Sequence, residues 1–465
     1  MSTSVAASSS KRTIEGVLNT NKLGRSRIIS FAILFMVIAV DGADVAASSM
    51  IYPSLIEEWG VSDQMITIIV TVSLIFMAIG AMVAGPLADR HGRKRILTLT
   101  LLIVVAGTYL TAVSLNAEVF LVMRSVAMLG LGAAMPISVA LASEIAPTAR
   151  RSFLVAVVFA GYTAGVAAAG FSAAKLIPPI GWSLYMALLA TVAAVAFLLV
   201  IAFVSESFQH LASRPGNEQR VIRALQRIDT NVHANNVDLA PASNAAKAEP
   251  GGIAAVLSRR YLAISISIWL CYFVGIMVVY LFLTYFPLIV TRSGLTIEEA
   301  GFLVTVNGLV GIAGSIVLGL LMDKIGRVPT LIGAWSLVII SFWLVGPIEP
   351  AYTGLLLFTI FWGFLIAPTN TGINALAATS YPSGARATGV AWMHSVGRVG
   401  SILMGVVGGT FLTLGWSVGT IFTVMSIPLA VGVVALFILG RALRREAKMR
   451  GSEVEEVKVL GRSAS

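Results

Sequence analysis

Apolar residues in this chain come in long unbroken blocks, without the period of two of a half-buried strand or the narrow stripe of a soluble helix. Twelve such blocks follow one another, near residues 28–52, 64–88, 96–115, 119–145, 152–176, 181–204, 261–290, 298–322, 328–347, 351–379, 387–412 and 416–440. A helix needs roughly 20 apolar residues to cross a bilayer, so the pattern predicts an all-α integral membrane protein with twelve transmembrane helices. The largest hydrophilic interruption divides the spans six and six. The predicted order is an N-terminal tail (1–27), a six-helix bundle (28–204), a loop (205–260), a second six-helix bundle (261–440) and a C-terminal tail (441–465). An even number of crossings puts both termini on one side. The first block is too long for a signal peptide and no small-residue cleavage site follows a short apolar core, so it reads as an uncleaved first span.

Composition agrees with a membrane solvent: 57% of the 465 residues are hydrophobic and 12% charged, half the charged fraction usual in soluble proteins. A net charge of +10 in a soluble chain would suggest nucleic acid, but position excludes that here. Of 32 Lys and Arg, 28 fall in the two tails and in alternate loops, while the opposite loops hold only Lys175 and Arg292 and the spans only Arg124 and Arg398. By the positive-inside rule both tails are cytoplasmic. Cys271 is the single cysteine, so no internal disulfide forms, and the four histidines are scattered without metal-ligand spacing. Nothing here suggests an enzyme, a metal or a cofactor. Within the central loop, 218–228 reads as a short basic amphipathic helix and 230–252 as a flexible linker.

The charges inside spans carry the chemistry. Asp41 and Asp44 lie near the middle of the first span, where a carboxylate costs on the order of 2.5–3.5 kcal/mol and normally faces a bundle interior or a watery cavity. Three residues apart, they share a face with each other and with Ser48 one turn on. Two carboxylates this close in low dielectric do not both ionise cheaply, so at least one holds a proton near neutral pH. The plainer alternative is that one of them is locked in an interhelical ion pair. Span 4 carries Arg124 in its outer half and Glu144 at its inner end, both in need of partners. Span 11 carries Arg398 near its middle, with His394 one turn away on the same face and Trp392 nearby. A fixed guanidinium at that depth clamps a carboxylate through two hydrogen bonds, which points to an anionic substrate. Permanent pairing of Arg398 with Asp41 or Asp44, and a merely structural His394, remain open. Span 7 supplies Trp269, Tyr272, Tyr280 and further rings, and Asn307, Asn370 and Asn374 supply neutral hydrogen-bonding groups at membrane depth.

The two halves also repeat. Gly85-Pro-Leu-Ala-Asp89-Arg90-His91-Gly92-Arg93-Lys94 closes span 2, and Gly319-Leu-Leu-Met-Asp323-Lys324-Ile325-Gly326-Arg327 closes span 8, with Gly, Asp, Gly and Arg all offset by 234 residues. A duplicated six-helix unit is the trace of a transporter with two related halves around a midplane site. The glycines are expected to allow a tight turn and close helix approach.

Gly-x-x-x-Asp-Arg-x-Gly-Arg-Lys, with its echo, resembles the signature loop of the major facilitator superfamily, and the twelve-span layout covers nearly the whole chain. The resemblance implies two pseudo-symmetric six-helix bundles, and it assigns Gly85, Asp89, Arg90, Gly92, Arg93, Asp323, Arg327 and Arg386 to gating loops on the cytoplasmic side. Asp41-Gly-x-Asp44, Arg124 with Gly-Leu-Gly-Ala-Ala-Met-Pro and Ser-Glu144-Ile-Ala-Pro, and Arg386-Ala-Thr-Gly-Val-x-Trp with Gly-Arg398-Val-Gly-Ser are similar to the aromatic acid/proton symporter branch. This implies a monomeric carrier in a bacterial inner membrane that imports a benzoate-type anion with protons as the coupling ion. Residue chemistry and resemblance together lead to the expectation of proton coupling at Asp41, Asp44, Arg124 and Glu144, and of substrate binding at Arg398, His394, Trp392, Asn307 and Tyr280. Ala43 departs from the aromatic often found there, which touches substrate identity. Ser205-Glu206-Ser207-Phe208 departs from a Pro-Glu-Ser-Pro turn and is expected to be harmless. A proton-coupled exporter, or a carrier of another small organic anion, is the alternative within transport. Span 5 lacks the Gly-Pro-x-x-Gly-Gly run of exporters, and span 7 lacks the paired glutamines of sugar porters.

Overall fold

The protein was analysed as a computed structural model, which describes residues 12–13, 24–147, 150–207, 211, 219, 221–222, 226, 237–238, 253–345, 351–381 and 383–463. Most of the expected amphipathic helix at 218–228 and of the linker at 230–252 lies outside the described residues. Among those described, eleven helices are long and apolar enough to cross a membrane. Spans 1 to 4 are Arg25–Trp59, Asp63–His91, Arg93–Ala112 and Ala117–Ile145. Spans 5 and 6 are continuous in Arg151–Phe203, broken at Gly181 by a backbone at φ 79°, ψ 162°. Pro178 and Pro179, which cannot donate to a helical ladder, precede that break, so twelve crossings are made by eleven elements. Spans 7 to 12 are Leu262–Arg292, Ile297–Lys324, Arg327–Val345, Tyr352–Ser380, Ser383–Thr413 and Val418–Ser463. The only strands among the described residues are a two-residue parallel pair, β1 (Arg12–Thr13) with β2 (Val237–Asp238).

The last helix does not stop where its apolar block ends at 440 but runs on to Ser463 through the segment expected to be a tail. One reason is Glu446, buried on this extension, which accepts from Arg260 Nε at 2.8 Å and from the Tyr261 hydroxyl at 3.1 Å.

The chain forms two compact units, 1–44 with 72–166 and 179–247, and 45–71 with 167–178 and 248–465. Packing within each follows one scheme. In the first, Gly42 and Gly165 press the backbones of spans 1 and 5 together, since a Cβ at either would run into the carbonyl of Tyr162 or Ala39. Gly80 and Gly132 do the same for spans 2 and 4, against Leu129 and Met77. Spans 3 and 6 are joined by Tyr109 and Thr191 at 2.8 Å and by Ser183 donating to the Ala112 carbonyl at 2.6 Å. In the second unit, Gly400 of span 11 meets the Phe273 carbonyl of span 7, Gly314 of span 8 meets Phe364 of span 10, and Gly432 of span 12 meets Trp335 of span 9. The pairs 1·5, 2·4 and 3·6 thus recur as 7·11, 8·10 and 9·12, the packing counterpart of the repeated loop. Small residues carry these contacts because backbones in lipid associate through van der Waals packing, without a hydrophobic drive between helices.

The repeated loops share one backbone constraint. Gly92 and Gly326 both have positive φ, 103° and 107°. Gly92 (ψ 137°) lies in a region open in practice only to glycine and lets span 3 start directly after span 2. Gly85 and Gly319 differ from expectation, for a Cβ at either meets nothing within 4 Å among the described residues, so neither mediates a close helix approach here. Replacing Gly92 with Ala should therefore lower stability by ~1–3 kcal/mol, whereas Gly85→Ala should leave it nearly unchanged. Thermal unfolding of both variants in the same detergent checks this, and equal melting temperatures would contradict it.

Candidate functional site

In the first unit, Asp41, Asp44 and Arg124 are 1%, 3% and 1% exposed. Asp44 Oδ2 meets Arg124 Nη1 at 2.6 Å, and Arg124 Nη2 contacts the Asp44 carbonyl at 3.4 Å and Met128 Sδ at 3.2 Å. The interhelical ion pair considered from sequence is therefore realised for Asp44, and it answers Arg124's need for a partner. Asp41 lies one turn earlier on the buried side, with Gly42 beside it where spans 1 and 5 touch backbone to backbone. The carboxylates are thus held on a rigid, close-packed stretch, the setting in which a change of charge is felt by neighbouring helices.

Glu144, grouped by sequence with the proton-coupling residues, is not with them. It sits at the loop end of span 4, twenty residues from Arg124, in an ion pair with Arg93. Arg93 also reaches Asp89 at 3.4 Å, and Ser207 hydrogen-bonds Glu144. Beside this pair, Glu206 accepts from the backbone N–H of Lys94 at 2.9 Å, Arg95 at 3.3 Å and Ser207 at 2.9 Å. Gly92 has no side chain to cap span 3, so a carboxylate from the end of span 6 satisfies the orphan N–H groups and the positive end of the helix dipole. Glu144 and Glu206 thus lock the signature loop to spans 4 and 6. In the repeated loop, Arg327 donates to the Thr379 hydroxyl, and Asp323 and Arg386 are exposed, as Arg90 is in the first loop.

The second unit holds the polar groups of spans 7, 10 and 11. Arg398 Nη1 donates to the Tyr280 hydroxyl at 3.3 Å. His394 Nδ1 pairs with the Tyr272 hydroxyl at 3.1 Å, their rings edge to face at 5.0 Å, and Asn374 stands by the same hydroxyl. Asn374 in turn donates to the Asn370 carbonyl at 3.0 Å. Asn307 lies against Gly363, and its buried Nδ2 has no hydrogen-bond partner among the described residues. Trp392 is not on this face. It is six residues and about 240° around the helix from Arg398, stacked on Trp269 at 5.9 Å. Other rings of these spans are packing: Phe282, Phe286, Phe342, Phe358, Trp362 and Phe422 form one buried cluster joining spans 7, 9, 10 and 12.

The sequence reading gave no role to the two basic residues of the opposite loops, yet both are paired within the second unit. Arg292, ending span 7, grips Asp63 at the start of span 2 with both guanidinium nitrogens, one at 2.9 Å. Lys175 lies 3.8 Å from Glu298. The signal was their isolation: a side bearing two basic residues in total keeps them for a reason of position.

The chain matches the family model of the Major Facilitator Superfamily over residues 34–405 and 268–462. It is 32% identical over 426 residues to the 4-hydroxybenzoate transporter PcaK of Acinetobacter baylyi, covering 91% of this chain and 93% of that one. It is 31% identical over 415 residues to a gallate transporter of Pseudomonas putida, covering 88% and 91%. Among solved structures, the xylose transporter XylE from E. coli in a partially occluded inward open conformation is similar with a TM-score of 0.69 at 18% identity, over 90% of this chain and 98% of that one, a likeness of fold alone.

Removing one member of a buried ion pair strands the other, at about 3–5 kcal/mol, whereas removing both is far milder. Arg124→Met and Asp44→Asn should each destabilise the protein strongly, and the double variant should recover most of the loss. A double-mutant cycle on thermal stability in lipid nanodiscs measures the coupling. Additive losses would mean that the two charges do not depend on each other.

Proposed function

The chain belongs to the major facilitator superfamily, and from that premise we propose that it is a secondary transporter bringing a hydroxybenzoate-type aromatic carboxylate into a bacterial cell together with protons by alternating access. The observation that carries this reading is the buried acid–guanidinium pair of spans 1 and 4, with a second buried aspartate one turn away. Charge at that depth is too expensive to be kept for stability alone, and a replacement pair of apolar side chains would serve packing as well. The relatives named for 4-hydroxybenzoate and gallate support an aromatic acid as cargo. Arg398 supports its charge, because a guanidinium braced by a tyrosine hydroxyl offers a carboxylate two parallel hydrogen bonds.

In the proposed cycle Arg124 neutralises Asp44 and the travelling proton resides on Asp41, while the substrate carboxylate docks on Arg398. Loading both cancels charge and so lowers the cost of carrying these groups through a conformational change in lipid. Both termini and the signature loops face the cytoplasm in this scheme, on the side rich in Lys and Arg. Protein reconstituted in liposomes should accumulate labelled 4-hydroxybenzoate when a proton gradient, acidic outside, is imposed. Asp41→Asn and Asp44→Asn should abolish accumulation, and Arg398→Ala should raise the half-saturating concentration at least tenfold at equal protein level. Counterflow separates a carrier from a receptor, since only a carrier exchanges labelled for unlabelled substrate. Normal accumulation in the aspartate variants would remove them from the scheme.

A further inference from the structure

Arg398 accounts for a carboxylate but says nothing about the ring that bears it. His394 lies one turn before Arg398, so the two side chains emerge about 5–6 Å apart on one face of span 11. Their tips are held farther apart than their origins, for the tyrosines that anchor them, Tyr272 for the imidazole and Tyr280 for the guanidinium, are eight residues and about 12 Å of helix rise apart on span 7, room for a para-substituted benzoate with a hydrogen bond at each end. The imidazole is fixed at one nitrogen: Nδ1 pairs with the Tyr272 hydroxyl at 3.1 Å and the ring stands edge to face on Tyr272, interplanar angle 77°. Tyr272 is itself buried, 7% exposed, and Gly397 is packed against its ring, so the tyrosine cannot swing away. His394 is exposed although it lies inside a membrane span, and no contact of its Nε2 is seen among the described residues.

We propose that His394 reads a ring hydroxyl of the substrate through Nε2, and that it makes this carrier select 4-hydroxybenzoates over benzoate. The proposal rests on the aromatic acid reading above and goes beyond it by giving one residue the choice among such acids. Whichever nitrogen carries the ring proton, Nε2 finds a match in a hydroxyl, which both donates and accepts. Benzoate puts a C–H there and leaves the nitrogen unpaired once the bound ligand has displaced water from it, which is how a hydrogen-bonding site rejects an analogue lacking the group. Tyr272 is a positioning residue, holding the imidazole so that Nε2 points in one direction. The pair also orients the ligand, carboxylate on the guanidinium and hydroxyl on the imidazole.

Equilibrium binding of benzoate and 4-hydroxybenzoate to purified protein in nanodiscs tests this. The wild type should favour 4-hydroxybenzoate by about tenfold or more. His394→Phe, which keeps the ring contact with Tyr272, should bring the ratio close to one, and His394→Gln should restore part of it. Tyr272→Phe should lower the same ratio without removing the imidazole, an effect that loss of fold alone would not produce. Equal wild-type affinities, or an unchanged ratio in His394→Phe, overturn the assignment while leaving aromatic acid transport intact. Binding of neither acid overturns the assignment and the transport reading together.

Discussion

A carboxylate and a guanidinium held 2.6 Å apart and almost wholly out of water set the terms for the first unit. Each ion alone would be strongly disfavoured at that depth, and together they are tolerated only while the geometry holds. Span 1 must therefore stay registered against span 4, and the packing secures it. Glycines bring span 1 against span 5 and span 2 against span 4, leaving the helices little room to slide. The pair thus fixes where Asp41 stands, one turn away, and any change in the charge of this group is set against a rigid background.

The second unit answers with a different chemistry. Its aromatic cluster packs the helices, and a separate group of hydroxyl, imidazole, amide and guanidinium groups is linked by hydrogen bonds on spans 7, 10 and 11. Further ion pairs sit near helix ends within each unit: Arg93 with Glu144 beside the loop between spans 2 and 3 in the first, Arg292 with Asp63 and Lys175 with Glu298 in the second. The pairs of Lys175 and Arg292 are partly hydrated and open at modest cost, unlike the buried pair.

Much of this was legible in the chain. Span number, the duplication and the intramembrane charges follow from hydropathy and spacing, because lipid allows few solutions other than helices of fixed length. The partner of Arg124 was open in sequence among several acids, and only three-dimensional register selects Asp44. Glu144 was legible as an acid at the inner end of span 4 in need of a partner, but Arg93, the partner it takes, lies 51 positions away and only the fold selects it. Trp392 was grouped with Arg398 by proximity along the chain, but helix rotation turns it elsewhere. Glu206 capping the start of span 3 was hidden because it joins residues more than a hundred positions apart. Arg292 and Asp63 are likewise distant in sequence and close in space.

The central claim is that the acidic group beside the buried ion pair takes up a proton when the anion binds. Titrating purified protein with 4-hydroxybenzoate in weakly buffered solution, with a pH indicator, measures that directly. The account predicts alkalinisation on binding to the wild type and none for an Asp41→Asn variant that still binds the acid. Binding without proton uptake in the wild type, or equal uptake in the variant, would contradict it.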